Sequence, residues 1–198
     1  MAPSSTMNLM LSILGAVAAK VAAANLESPL PGYTSVPMTW YGINEISGSN
    51  VTINGTIQEI QDQILLANQS IKWVVPTTNT KRYIVPRDKT SINCGVGGNG
   101  PAENTYLQDG IDHLNSVTDH PCIMEAGPGV CTRVSCSDDT AIWVCNDNSY
   151  EIQHSCPDLA TYAVDIRAKC HSYTVEMTIR GEEYDSGNFH VVVGGDSC

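Results

Sequence analysis

Eight cysteines, five histidines and 21 acidic side chains hold most of this chain's capacity for covalent, metal or acid–base chemistry. The cysteines are Cys94, Cys122, Cys131, Cys136, Cys145, Cys156, Cys170 and Cys198, all in the last 105 residues of the chain. An even number in a chain bound for an oxidising compartment predicts four disulfides, for which arithmetic alone leaves about 105 pairings open. Disulfide use leaves no thiol for nucleophilic catalysis, and no G-x-S-x-G stretch offers an activated serine. The histidines (His113, His120, His154, His171 and His190) never recur at H-x-x-x-H spacing, so they read as surface or lightly buried imidazoles rather than zinc ligands. Asp138-Asp139 with Asn146-Asp147-Asn148 is rich in calcium-type oxygens, but it lacks the glycine and distal glutamate of an EF-hand loop and reads as a solvated hairpin tip. The run Gly95-Val-Gly-Gly-Asn-Gly100 lacks the Gly-Lys-Ser/Thr ending of a phosphate loop, and predicts a tight turn needing positive φ. Trp143, Tyr150 and Tyr162 are candidates for a recognition surface, with Trp143 expected to face the core. No residue is assigned a catalytic, metal or cofactor role, and no cofactor is expected.

At 198 residues the chain suits one ordinary domain, or a small domain with an appended segment, and 42 % apolar residues suffice for a core. The formal charge is −11. All of that imbalance lies in residues 83–198, with 17 Asp and Glu against 6 Lys and Arg, while residues 1–82 balance at 4 against 4. An acidic domain repels phosphate backbones and anionic lipid, which argues against nucleic-acid binding through a basic patch and against stable membrane association.

Met7–Ala19 is an apolar run of 13 residues followed by Ala22-Ala23-Ala24, the length of a signal-peptide core and too short to span a bilayer. The reading is a signal peptide over residues 1–24 and a secreted, unanchored product. Asn50, Asn54 and Asn68 each open an N-glycosylation sequon. A short strand is expected around Val36–Tyr41. A helix is expected over Ile57–Asn68, opened by the Thr56/Glu59 capping box. Lys81-Arg82 is a candidate processing site. Residues 25–82 therefore read as a glycosylated pro-segment or separable N-terminal module, whose glycans would leave with it, ahead of a disulfide-rich domain over 83–198. In that domain the hydrophobic periodicity predicts β-α-β-β-α-β-β: strands at Ser91–Cys94, Thr132–Ser137, Ala141–Asn146, Val175–Ile179 and Phe189–Val193, with helices from Pro101 to about Val117 and from Pro157 to Cys170. The fold class is α+β, a mainly antiparallel sheet with two helices on one face.

Several features of residues 91–198 resemble the fungal killer-toxin family typified by the fourth virally encoded killer protein of smuts. These are Ile92-Asn93-Cys94 before a glycine-rich turn and helix, Cys122 after that helix, and Cys131, Cys136 and Cys145 around two strands. Cys156 and Cys170 then bound the second helix, Gly187-Asn188 introduces the last strand, and a cysteine closes the chain. The resemblance implies a disulfide-stapled α/β sandwich paired Cys94–Cys170, Cys122–Cys156, Cys131–Cys145 and Cys136–Cys198, with one further bridge of the family absent here. It also implies a non-catalytic toxin or effector that binds a cell-surface or extracellular target of competing microbes or host cells, and the protein is expected to be a monomer. The toxins are basic and act on calcium channels through exposed basic side chains. In this acidic domain Arg133 and Arg180 are the candidate target contacts. Asn93-Cys94-Gly95 is also similar to the opening of secreted necrosis-inducing effectors of plant-pathogenic fungi. A secreted hydrolase or carbohydrate-binding protein is the alternative. It would show a concave pocket with convergent titratable groups.

Overall fold

The computed structural model describes residues 26–75, 88–118, 120–172 and 177–198. The first stretch forms strands β1 (Thr34–Pro37), β2 (Thr39–Asn44) and β3 (Asn50–Asn54), helix α1 (Ile57–Ala67) and strand β4 (Ile71–Trp73). Then come β5 (Lys89–Cys94), β6 (Ala102–Glu103), helix α2 (Asn104–Ser116), β7 (Pro121–Met124), β8 (Val130–Ser137), β9 (Thr140–Asn146) and β10 (Ile152–Ser155). Helix α3 (Cys156–Cys170), the short β11 (His171–Ser172) and β12 (Thr178–Ile179), and finally β13 (Gly181–Asp185) and β14 (Phe189–Gly195) complete the order.

The main sheet has six strands in the order β1-β8-β9-β14-β13-β5. Every neighbouring pair in it is antiparallel except β1 with β8. Alternation along the central strands divides the side chains between two faces. Ile142, Val144, Phe189, Val191 and Val193 join the core beneath α2 and α3, built with Leu107, Ile111, Leu114, Leu159, Ala163 and Ile166. Ala141, Trp143, Cys145 and Val192 point to the opposite face, where Leu30 and Tyr33 pack on them. The protein is thus an α+β fold with its helices against one face of an antiparallel-rich sheet, cross-linked by four disulfides.

The bridges join Cys94 to Cys170, Cys122 to Cys156, Cys131 to Cys145 and Cys136 to Cys198, and no described cysteine is free. These are the four pairs the resemblance implies. Non-reducing peptide mapping should recover these four bridges and no free thiol, and a Cys131–Cys136 link would contradict the fold. Each bridge contributes roughly 2–4 kcal/mol by restricting the unfolded chain, so reduction should unfold the protein.

Two differences from the sequence reading concern strands. The strand expected at Val175–Ile179 is only the two-residue β12 over the described part, and residues 173–176 lie outside it. The sheet position belongs instead to β13, Gly-Glu-Glu-Tyr-Asp, whose Glu182, Glu183 and Asp185 are buried. Three acids in five residues do not read as a half-buried strand, and their burial depends on partners far away in sequence. The strand around Val36–Tyr41 is in fact two: β1, in the main sheet, and β2, paired with β3 and β4.

Residues 26–75 are not a structurally separate module. Met38, Trp40, Ile57 and Ile60 are buried in the same core as Leu107, Leu114 and Val144. Trp40 stacks on His120 at 5.1 Å, and Trp73 meets the same ring edge-on at 5.9 Å. Gln58 Nε2 donates to Ser135 Oγ at 2.7 Å, while its Oε1 accepts from the Cys136 amide. Helix α1 starts at the expected capping box: Thr56 Oγ1 accepts from the Glu59 amide and the Glu59 carboxylate from the Thr56 amide. That cap is worth about 1 kcal/mol. Composition and cysteine spacing suggested a boundary because they record covalent cross-links, whereas this segment is held by packing. Lys81 and Arg82 lie outside the described residues, as does the segment read as a signal peptide.

Candidate binding face

The open face of the main sheet gathers polar groups from five parts of the chain. On β13, Glu182 and Tyr184 alternate with the helix-facing Glu183 and point to the open side with their cross-strand partners Val192 and His190. Asn93 of β5 lies opposite Glu182 and donates to its Oε1 at 3.2 Å. Asp147 follows β9, and Tyr33 precedes β1. At the centre is His190, fully buried. Its Nδ1 lies 3.3 Å from Asp147 Oδ2 and its Nε2 4.0 Å from Glu182 Oε2. Tyr184 stacks on the ring at 4.7 Å and Tyr33 meets it edge-on at 5.6 Å.

Tyr184 donates inward to Glu182 at 2.9 Å, and Asp147 is among the groups that act on the Tyr33 hydroxyl. Burial, with these carboxylates beside them, pushes both hydroxyls up to about 12. His190 is held below the ordinary imidazole range because burial disfavours its charge more than Asp147 and Glu182 favour it.

The reverse side of β13 carries a second polar cluster, under α3. Lys89 bonds Asp165, lies 3.7 Å from Glu183 and sits 4.3 Å over the Tyr162 ring, whose hydroxyl donates to Asp185 at 2.7 Å. Burial pushes Glu183 up to about 7, against the pull of Lys89. The folded form therefore holds a proton that the unfolded form has lost above about pH 4.5. This contribution to stability is complete below that value and fades as pH rises through 7. Glu183→Gln should then melt higher than the parent at about pH 8 and equal to it below about pH 4.5. A gap that widened on acidification would contradict the assignment.

Beside the open-face cluster lies a groove of about 430 Å³, lined by Ser28–Tyr33, the Gly97–Asn99 turn and Arg180. Gly97 and Gly98 take positive φ (86° and 66°), as the glycine run predicts, and a Cβ on Gly98 would stand 2.8 Å from Gly194 Cα. Their carbonyls accept from Arg180 Nε at 2.5 Å and Nη2 at 2.9 Å.

The sequence candidates separate accordingly. Arg133, expected as a target contact, is buried: its guanidinium bonds Asp196 at 2.8 Å and the Ser197 carbonyl at 3.0 Å, with Glu59 at 3.6 Å. It staples the C-terminal tail and α1 to β8, so it is not available to a partner. Arg180 is half-buried and precedes β13 rather than lying on a strand. Trp143 and Tyr162 are fully buried and Tyr150 is half-buried against the core, so these three form no recognition surface.

His120, His154 and His190 are buried rather than superficial. Asp138-Asp139 form an exposed turn at one end of β9, while Asn146 at the other end donates to the Glu125 and Tyr150 carbonyls at 2.8 Å each. The two halves of that oxygen-rich sequence therefore do not meet. Among the described residues no group of three or more metal-ligating side chains converges. Asn50, Asn54 and Asn68 are all exposed. The cluster around His190 had no sequence signature, because its members are far apart in the chain and carry no motif.

No family model matches the chain, and neither does any curated protein or solved structure. No described helix is long and apolar enough to cross a membrane.

Proposed function

We propose that the protein is a secreted, killer-toxin-like protein or effector that acts by binding a surface target on competing microbes or host cells, without turnover. The observation that carries this reading is how the chemistry-bearing groups on the open face spend their bonds. Tyr184 donates to Glu182, His190 lies buried within 3.3 Å of Asp147, and Arg180 is committed to two backbone carbonyls, beside a groove lined by Ser28–Tyr33, the Gly97–Asn99 turn and Arg180. Such a surface recognises shape. Four disulfides hold it rigid, which lowers the entropy lost on binding. The net charge of −11 directs it to a neutral or cationic target rather than a polyanionic one.

The apolar N-terminal run supports export and the exposed sequons support glycosylation in transit. The test is growth inhibition and necrosis with the purified protein, oxidised and reduced, against a panel of fungal and plant cells. Activity of the oxidised form that disappears on reduction is expected. Equal activity of both forms would contradict recognition by a folded surface.

A further inference from the structure

We propose that, once the chain has folded, the side chains of Lys89 and Asp165 join as an amide, with Glu183 carrying the protons. Three elements supply the three residues: Lys89 opens β5, Asp165 lies in α3 and Glu183 in the middle of β13. Lys89 Nζ bonds Asp165 Oδ2, so the carbon it would attack is one bond further on. Glu183 Oε2 lies 3.7 Å from the same nitrogen. That oxygen is buried without a hydrogen bond, which leaves it free to exchange a proton. The Tyr162 ring, 4.3 Å from Nζ, closes one side of the site. Asp185 nearby is engaged by the Tyr162 hydroxyl and the Gly187 amide, both at 2.7 Å, and does not compete for the lysine. The Cys94–Cys170 bridge ties the same strand to the same helix and so keeps the reacting pair together.

An ammonium and a carboxylate that meet in water stay an ion pair. Groups held in contact by a fold react as one molecule, with effective concentrations that reach about 10⁵–10⁸ M. The reaction begins when the Lys89 ammonium passes one proton to Asp165, which leaves a neutral amine beside a carboxylic acid. Nζ then attacks Asp165 Cγ and the C–N bond forms. Glu183 gives its proton to the departing hydroxyl, the C–O bond breaks, and water leaves. Glu183 then takes one proton from the nitrogen and ends as it began. No electrons are exchanged and no other reactant is needed. Burial pushes the Glu183 carboxyl up to about 7, so near neutral pH it has a proton to give. Asp165 is partly exposed, which gives the water a way out. The product fastens β5, the edge of the main sheet, to α3 through residues 76 apart, by a bond that survives reduction. Each molecule reacts once, so binding without turnover is untouched.

The test is peptide mapping of the full chain, refolded with its disulfides, incubated near pH 7, then reduced, alkylated and digested. The peptides carrying Lys89 and Asp165 should stay joined, one water lighter than their sum. Lys89→Arg should give no joined pair. Glu183→Gln should join at least about a hundredfold more slowly, since a positioned proton carrier contributes about 10²–10⁴-fold. Recovery of all four disulfides before reduction shows that each variant has folded. Because the bond forms after folding, the melting comparison made for Glu183→Gln applies to freshly refolded chain. Complete separation of the two peptides in the parent after long incubation overturns the proposal, as does joining in Glu183→Gln at the parent's rate. Neither readout involves a target, so both stand apart from the assay of the proposed function.

Discussion

Cutting the chain at a protease site engineered between residues 75 and 88 should leave two fragments that stay together in native buffer. No cysteine lies before Cys94, so no covalent bond can hold residues 26–75. They should be retained by β1 in the main sheet, by Trp40 and Trp73 around His120, and by four buried side chains: Met38, Trp40, Ile57 and Ile60. At roughly 1.5–3 kcal/mol for each buried apolar side chain, this amounts to about 6–12 kcal/mol before the entropy of association is subtracted. The two pieces should co-elute in gel filtration and separate in about 6 M guanidinium chloride. Trp40→Ala should weaken their association by about 3 kcal/mol or more. Recovery of residues 88–198 alone, folded and with unchanged tryptophan emission, would refute the account of one shared core. It would restore a removable pro-segment. If the pieces remain joined, any sugars on Asn50, Asn54 and Asn68 stay with the active molecule.

Arg133→Ala should be the most damaging single charge removal, with a loss of roughly 3–5 kcal/mol, because it leaves the carboxylate of Asp196 buried without its cation. The same change frees the C-terminal tail, which Arg133 also holds through the Ser197 carbonyl beside the Cys136–Cys198 bridge. Replacing both partners by apolar residues, Arg133→Met with Asp196→Leu, should recover much of the loss, since no unpaired charge then remains. Arg180→Ala should cost only about 1–2 kcal/mol, the worth of two hydrogen bonds at a half-buried site. Thermal unfolding of the four proteins checks this order. An Arg133→Ala protein as stable as the parent would place that side chain at the surface, where the sequence reading had put it.

The parts of the fold that can be read from the sequence are those fixed locally. The Thr56/Glu59 box marks the start of α1 because a cap is a contact between residues three apart. The unbroken apolar run from Ala141 to Cys145 marks β9 because both of its faces are buried in apolar surroundings. Three other features depend on distant partners and left no such trace. β13 carries acids that become tolerable only beside Tyr184, Asn93 and Lys89. Arg133 looks like a free cation until Asp196 closes on it from 63 residues away. The segment 26–75 looked detachable because cysteine spacing cannot register Trp40 stacking on His120. The candidate face has the same character, since His190 and Tyr33 meet only because β1 adds to the sheet at β8.

Binding without turnover predicts an effect set by how much protein is bound. The direct measurement is a titration of labelled, oxidised protein on sensitive cells, with bound protein and growth inhibition or necrosis recorded together at several incubation times. The account predicts saturable binding, and a response that follows occupancy and stops growing once occupancy is constant. Damage that keeps accumulating at fixed, substoichiometric occupancy would be the mark of a catalyst and would contradict it.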